Sequence, residues 1–303
     1  ARVDIDGFTS TLHISDGSRL FVKCMPKGVI KRLETEVDGL LALRAVCEPI
    51  AGLRVPEVIG GQLCQLSNCA ILITRYISEH RRSSTDMRQF GAALARLHHL
   101  TRGELVGWHT DNFCGATPQP NAAAAYNEGR RIAWPAFFAQ HRLLFQIERL
   151  KHRGFVAGSN TDGNDFVRQC LQEKVRRIAA DLPRWMETHW SRVAVHEPSV
   201  LLHGDLWSGN YLFGRSDAVG DSPVYLIDPA VYRGHREAEW GMLQLFGGVD
   251  PSFFEGYHSV WPLADGWRQR VRLYVLYHLL NHANLFGGHY IDSSLRVAEQ
   301  ILQ

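Results

Sequence analysis

The sequence predicts an α+β protein in two parts, a small β-rich part up to residue 77 and a mostly helical part from residue 78 to residue 303. Two runs near the start alternate apolar and polar residues, which is typical of paired strands. From residue 87 onwards, apolar residues recur mostly at helical spacing. Two short apolar runs in the second part each precede an aspartate. A chain of 303 residues with 45% hydrophobic residues can bury a core in both parts.

The first part is predicted as a small sheet with one helix. Residues 10–15 and 19–23 flank Asp16-Gly17, a turn pair that favours a hairpin, so Lys23 is expected at the end of a strand. Apolar residues between positions 31 and 46 recur every three or four residues, which predicts a helix after the hairpin. Residues 55–60 and 70–77 are short and rich in branched side chains, and we expect further strands there.

The second part is predicted to be helical, with two short strands. The polar stretch 78–86 offers Ser83, Ser84 and Thr85 as helix N-caps. We expect a helix from residue 87, and further helices at 134–150, 164–190 and 267–285. Residues 199–202 and 224–227 are expected to be strands.

Composition excludes several classes of function. The chain has 33 basic and 31 acidic residues, so we expect no nucleic acid and no anionic membrane as partner. Six cysteines are scattered without the spacing of a zinc knuckle or a redox pair, which predicts reduced thiols. No apolar run reaches membrane-spanning length, and the start does not resemble a signal peptide. We therefore expect a cytoplasmic protein.

The segments LLHGDLWSGN (201–210) and VYLIDPA (224–230) carry the strongest chemical signal. Phosphoryl transfer needs a carboxylate to accept the proton of the attacking hydroxyl and oxygen ligands to hold Mg²⁺ on the phosphates. Asp205 suits the first role, and Asn210 with Asp228 suits the second. Asp205 and Asn210 are five residues apart, the spacing of base and metal ligand on one kinase loop. The alternative is that both aspartates only cap turns or helices.

A kinase also needs a cation on the phosphates of ATP, and Lys23 is placed to supply it. The usual partner of such a lysine is a carboxylate on the next helix. Glu36 is our choice and Glu34 is the rival; the two are two residues apart and cannot share a helix face.

Four segments resemble the fructosamine kinase family, within the protein-kinase-like fold that aminoglycoside and choline kinases share. They are HGDLWSGN (203–210), DPAVYRGHREAEWGMLQLFGG (228–248), a segment around LYHLLNHANLFGGHY (273–290), and GWHTDNFCGATPQPN (107–121). With the FVK strand that ends at Lys23, the resemblance covers most of the chain.

The resemblance implies a bilobal protein-kinase-like fold and a kinase that uses ATP and Mg²⁺ to phosphorylate the sugar 3-hydroxyl of ketoamines. Such phosphates are unstable, so the implied role is deglycation of proteins or small amines. The implied partner is a small-molecule or protein-bound ketoamine, and the oligomeric state is not predicted. The rivals are a kinase of another hydroxylated amine, such as an aminoglycoside, and a catalytically inactive nucleotide-binding protein.

The resemblance also implies roles for single residues. Asp205 would be the catalytic base, Asn210 and Asp228 would bind Mg²⁺, and Lys23 with Glu36 would form the phosphate-binding ion pair. The remaining implied roles are a hinge that holds adenine through backbone groups at Arg75, Tyr76 and Ile77, a brace at His203, and an acid that supports the catalytic loop at Glu239.

Three further residues could have either a binding role or a structural role. Trp207 could stack on a sugar ring or fill the core beneath its loop. His235 and Glu237 could line the acceptor pocket or form surface salt bridges. The glycine-rich loop of the family is represented here only by Gly7 with its neighbours Thr9 and Ser10.

Overall fold

The structure is a computed structural model that describes residues 2–4, 7–61, 63–65, 68–153, 162–189, 197–215, 223–247 and 249–303. Contacts between residues divide the chain into two compact units. The first unit comprises Ala1–Thr101, Asp205–Val231 and Val249–Pro262, and the second comprises Arg102–Gly204, Tyr232–Gly248 and Leu263–Gln303. The predicted boundary at residue 77 separates two lobes, each a single stretch of chain. The two compact units are made of several stretches and do not test it, so the boundary stays a prediction.

The strands of the described ranges are short. In chain order they are β1 (Arg2–Asp4), β2 (Gly7–His13), β3 (Arg19–Pro26), β4 (Leu53–Arg54), β5 (Cys64–Gln65), β6 (Cys69–Arg75), β7 (Asn112–Cys114), β8 (Thr117–Gln119), β9 (Val200–Leu202), β10 (Tyr211–Phe213), β11 (Val224–Leu226) and β12 (Tyr232–Gly234).

Helices occur in both units and make up most of the second. In chain order the helices are α1 (Ile30–Cys47), α2 (Ser84–Leu100), α3 (Ala123–Asn127), α4 (Trp134–Phe138), α5 (Phe145–Arg153), α6 (Asp162–His189), α7 (Glu239–Leu245), α8 (Pro251–Val260), α9 (Trp267–Phe286) and α10 (His289–Leu302). A π-helical turn, Ala139–Leu144, joins α4 to α5, and 3₁₀ turns lie at Lys27–Val29, Ile59–Gly61 and Arg236–Ala238.

The first unit contains a five-stranded sheet in the order β1-β2-β3-β6-β5, with antiparallel neighbours throughout. The predicted hairpin is confirmed, because β2 pairs with β3 around Asp16-Gly17. The prediction that Lys23 ends its strand is wrong, because β3 continues to Pro26 with Cys24 and Met25 buried. Lys23 therefore lies within a central strand.

Residues 55–60 were expected to form a strand of this sheet, and that prediction is wrong. Only Val58 makes an isolated bridge, to Thr74, and the segment ends in a 3₁₀ turn. Pro56 has no backbone N–H to donate to a ladder, which disfavours a strand here. The strand just before it, β4, instead pairs in parallel with β11.

The helix predicted from residue 87 begins three residues earlier, and Ser83 is its N-cap, one of the three expected residues. The Ser83 hydroxyl accepts a hydrogen bond from the Asp86 amide, and the Asp86 carboxylate accepts one from the Ser83 amide, which forms a capping box. The other predicted helices are also present. Trp190, the predicted end of one of them, lies outside the described residues.

The second unit packs around α9, which contacts α5, α7 and α10. His278 and His282 lie on this helix and are 3% and 8% exposed, so they are core residues rather than surface groups. Burial lowers the pKa of His278 to about 3, and His282 and Arg142 add to this effect. Within the described ranges, no helix carries an apolar stretch long enough to cross a bilayer.

His278 predicts a loss of stability in acid. Its folded-state pKa of about 3 lies below its ordinary value of 6.5, so the unfolded chain binds the proton first as the pH falls. The free energy of unfolding should drop by about 2 kcal/mol between pH 7 and pH 5 from this group alone. Denaturant unfolding at both pH values measures this difference.

The variant His278→Gln should lose about that share of the pH dependence, because glutamine does not titrate. His289→Gln, at an exposed position, is the matched control and should keep the wild-type difference. An unchanged pH dependence in His278→Gln would show that this histidine does not cause it.

Candidate active site

Lys23 on β3 forms the central ion pair of the first unit. Its Nζ lies 2.8 Å from Glu36 Oε2 on α1 and 3.1 Å from Asp228 Oδ1, which follows β11. The choice of Glu36 as the partner of Lys23 is confirmed. The rival Glu34 instead lies 3.5 Å from Lys31 in an exposed pair. One ammonium group thus connects the sheet, the helix and the loop after β11.

Two carboxylates compete for this single ammonium group. Burial raises the pKa of Glu36 to about 8; Lys23 opposes this rise and Asp228 adds to it. Burial alone would lower the pKa of Lys23, but the two carboxylates outweigh it, so the pKa lies above its ordinary value. The lysine stays charged, and the cluster carries more negative than positive charge when both acids are ionised.

Asp205 and Asn210 are joined within one loop. The Asn210 side-chain amide donates to the backbone oxygen of Asp205 at 2.8 Å and to its Oδ2 at 3.3 Å. The Asn210 backbone oxygen accepts a hydrogen bond from the Ile227 amide at 3.0 Å. Since Ile227 directly precedes Asp228, the loop is tied to the segment that carries the third predicted residue. The structure therefore links Asp205, Asn210 and Asp228 through a continuous set of contacts.

This donor set suits a hard divalent cation. Because the side-chain nitrogen of Asn210 faces Asp205, the Oδ1 of Asn210 is the atom that remains for a metal. Asp228 is half exposed and supplies carboxylate oxygens, and Mg²⁺ prefers ligands of this kind. Among the described residues no group of three His, Cys, Asp or Glu side chains is placed to hold a metal, so a metal held here would also use the asparagine oxygen. When Glu36 and Asp228 are both ionised, the excess negative charge around Lys23 also favours a cation.

Glu239 on α7 supports the backbone that leads into the loop. Its carboxylate accepts hydrogen bonds from the amides of His203, at 2.7 Å, and Gly204, at 3.0 Å, and it is 2% exposed. The prediction that Glu239 braces this segment is confirmed. Gly204, which directly precedes Asp205, has φ +82°, a conformation that favours glycine. His203 is fully buried, as a bracing residue should be.

A cavity of about 190 Å³ lies in the first unit beside Lys23's two partners. Glu36 and Asp228 line one part of it, and the segment after β6 lines another. Sequence reasoning missed its apolar walls, since residues that line a cavity look like any other apolar residue of a strand, helix or loop. These wall residues are Phe21, Leu40, Pro56, Leu72, Leu212 and Ile227.

The predicted hinge, Arg75 to Ile77, lines this cavity. The amides of Arg75 and Tyr76 already donate to the backbone oxygens of Glu57 and Arg19. The backbone of Ile77 makes no hydrogen bond to another described residue. Of the three hinge residues, Ile77 is therefore the one with its amide available to a base in the cavity. Their role in binding adenine stays a prediction.

Trp207 and Gly7 are both positioned by close approaches. A β-carbon on Gly209 would lie 2.5 Å from the Trp207 ring, so the indole packs on its own loop and is half-buried. A β-carbon on Gly7 would collide with the backbone oxygen of Cys24. Only glycine lets the start of β2 lie this close to the residue after Lys23. The contact of Trp207 with a sugar and the phosphate clamp at Gly7 stay predictions.

His235 and Glu237 lie in the second unit and are buried. His235 Nε2 lies 3.2 Å from Glu197, and Glu237 accepts from Arg270 at 2.8 and 2.5 Å. Their alternative as surface salt bridges is wrong, because these side chains are 3% and 0% exposed. His235 also lines a cavity of about 770 Å³ with Trp134. Acceptor binding by either residue stays a prediction.

Comparison with known proteins decides the family. The sequence profile of the fructosamine kinase family matches residues 4–303, nearly the whole chain. The chain belongs to the fructosamine kinase family. The resemblance read from four motifs is thereby confirmed, and the enzyme is a phosphotransferase that acts on an alcohol group.

Relatives of known sequence carry names of the same kind. The chain is 35% identical to the probable ketoamine kinase of Vibrio parahaemolyticus over 95% of this chain and 87% of that protein. It is 34% identical to a chloroplastic protein-ribulosamine 3-kinase of japonica rice, over 95% of this chain and 74% of the rice protein.

Solved structures show the fold. A structure named for fructosamine-3-kinase, from Thermobifida fusca, is 28% identical and has a TM-score of 0.76 over 99% of this chain and 91% of that chain. At 13 and 14% identity the same fold occurs in structures named for an amicoumacin kinase and for a macrolide 2′-phosphotransferase of Brachybacterium faecium, with TM-scores of 0.56 and 0.52 over 99% and 98% of this chain and 86% and 89% of those chains. This family member therefore has the protein-kinase-like fold that its sequence predicts.

The Lys23–Glu36 pair can be tested with a built-in control. Glu36→Gln removes the charge that orients the ammonium group, so we expect kcat/KM for ATP to fall roughly tenfold or more. Glu34→Gln, two residues away in an exposed pair, should stay within about twofold of the wild type. Steady-state kinetics with varied ATP measures both. Equal losses in the two variants would contradict the assignment.

Proposed function

We propose that this family member transfers the γ-phosphate of ATP to the 3-hydroxyl of a ketoamine sugar. The observation that carries the proposal is the continuous set of contacts from Glu36 through Lys23 to Asp228, and from Asp228 through Ile227 to the Asn210–Asp205 loop. These are the parts that phosphoryl transfer needs, and they lie in one unit. The names of the relatives, ketoamine kinase and protein-ribulosamine 3-kinase, support a ketoamine as acceptor.

The nucleotide would lie along the cavity beside Lys23. The adenine base would sit between the apolar walls and donate to or accept from the backbone of Ile77. Lys23, held by Glu36, would bind phosphate oxygens through a charge-assisted contact. Asn210 and Asp228 would hold Mg²⁺, which neutralises charge on the phosphates when it is bound. Catalysis then depends mainly on position and on electrostatic stabilisation.

Asp205 would act as the general base. Its carboxylate accepts the proton of the sugar hydroxyl as the oxygen attacks the γ-phosphorus, the bond to the β,γ-bridging oxygen breaks, and ADP leaves. The hydrogen bond from Asn210, the proposed metal ligand of the same loop, fixes the orientation of this carboxylate. We propose the exposed side of Trp207, two residues further on, as the surface on which the sugar ring stacks.

The base assignment predicts a selective loss of turnover. Asp205→Asn should lower kcat roughly 100-fold or more, because asparagine cannot accept the proton. ATP binding should change little, since the contacts of Lys23 do not include Asp205. Asp181→Asn, at an exposed position of α6, is the matched control and should be fully active. A turnover near wild type in Asp205→Asn would remove this residue as the base.

The acceptor can be tested directly by identifying the product. We expect fructosyl- or ribulosyl-lysine to be phosphorylated at the sugar 3-position, which phosphorus NMR and mass spectrometry of the product identify. An aminoglycoside in the same assay should consume no ATP above background. Phosphorylation of the aminoglycoside and not of the ketoamines would contradict the proposed acceptor while leaving the kinase assignment intact.

A further inference from the structure

Asp228 has an unusual backbone conformation for its sequence context. Its φ is +50°, in the left-handed region, and it is one of only two described residues other than glycine with a positive φ. Side chains with a β-carbon avoid this region for steric reasons. The residue before a proline is normally extended, and Pro229 follows Asp228. Surrounding contacts must therefore hold Asp228 in place, as is typical of strained residues at functional sites.

Gly39 on α1 lies against the segment that follows Asp228. A β-carbon at position 39 would lie 3.1 Å from Pro229 Cγ and 3.3 Å from both methyl groups of Val231. These two neighbours are buried, and Val231 is 0% exposed, so they have little room to move. Gly39 therefore lets the helix and the segment come closer together than any other residue would.

The same face of α1 carries Glu36, three residues before Gly39. On that face Glu36 bonds Lys23, and Lys23 bonds Asp228. Glu36 and Gly39 thus connect α1 to the same segment, through Lys23 at Asp228 itself and by direct packing at Pro229 and Val231. A glycine in the interior of an 18-residue helix weakens the helix relative to alanine, which points to a reason for it in packing.

We infer that Gly39 is a positioning residue: it provides the seat for Pro229 that holds Asp228 in its left-handed conformation, with the carboxylate beside Lys23. The inference rests on the proposed function, in which Asp228 binds Mg²⁺. A methyl group at position 39 pushes Pro229 and Val231 away from α1. Asp228 then relaxes toward an extended backbone, and its carboxylate leaves the position next to Lys23.

Calorimetric titration with MgADP and, separately, with adenosine distinguishes the binding of the phosphates and Mg²⁺ from the binding of the nucleoside. Gly39→Ala should bind MgADP roughly tenfold more weakly than the wild type, a factor that corresponds to the ordinary cost of left-handed backbone. It should bind adenosine within about twofold of the wild type, because the three atoms nearest the added β-carbon belong to Pro229 and Val231 and not to the predicted hinge. Loss of both ligands together, or no loss of MgADP affinity, would overturn the inference.

Three further variants keep the test sharp. Gly28→Ala has no atom within 4 Å of the added β-carbon and should bind both ligands like the wild type. The double variant Gly39→Ala with Val231→Ala removes the two methyl contacts at 3.3 Å but leaves the Pro229 contact at 3.1 Å, so it should regain only part of the MgADP affinity. Pro229→Ala removes the seated ring from the other side, but it also lifts the restriction that a proline places on the residue before it. It should therefore weaken MgADP binding less than Gly39→Ala does, and leave adenosine binding unchanged.

Pro229→Ala decides the matter if Gly39→Ala does not fold, and wild-type MgADP affinity in it would overturn the inference. None of these measurements needs a ketoamine. A wild-type protein that binds MgADP but phosphorylates no ketoamine would contradict the proposed acceptor and leave the Gly39 test valid.

Discussion

The Lys23 ammonium group is the interaction on which the rest of the site depends. It binds Glu36 and Asp228 at once, and these residues come from a helix and from a loop that is distant in sequence. Burial strengthens the contact with Glu36 and raises the pKa of that carboxyl group, whereas Asp228 is half exposed. When both carboxylates are ionised they outnumber this one positive charge, which favours a further cation. The proposed metal and phosphate sites lie beside this cluster.

Backbone contacts hold the remaining parts against this centre. The loop of Asp205 is anchored by Glu239 before it and by the Asn210–Ile227 hydrogen bond after it. Because both anchors bind the backbone, the side chains of Asp205 and Asn210 can serve chemistry. Close approaches at glycines have a similar effect: Gly7 meets the Cys24 oxygen, and Gly39 meets Pro229. Backbone hydrogen bonds and close backbone approaches at glycines therefore position most of the site's residues.

Sequence periodicity predicted the helices and the first hairpin well, because these elements are decided by local patterns. It failed where the same local pattern is compatible with two different backbone structures. Residues 55–60 are branched and apolar, as in a strand, but Pro56 cannot donate to a ladder and the chain turns instead. The strand around Lys23 extends three residues further than expected, and its alternation stops there, because the consecutive residues Cys24 and Met25 are both buried. The burial of His235 and Glu237 was equally beyond local reasoning, since their partners Glu197 and Arg270 are far away in sequence.

The sequence by itself determined the chemistry: an aspartate and an asparagine five residues apart, a second aspartate after an apolar run, and a lysine on an early strand indicate a phosphotransferase, and four longer segments indicate its family. Only the tertiary structure decided between Glu36 and Glu34 as the partner of Lys23, since both lie on the same helix and only its packing shows which side faces the sheet. It alone also revealed the left-handed Asp228 and its seat on Gly39. Such contacts join residues distant in sequence and leave no periodic signal, so they become visible only when the chain is folded.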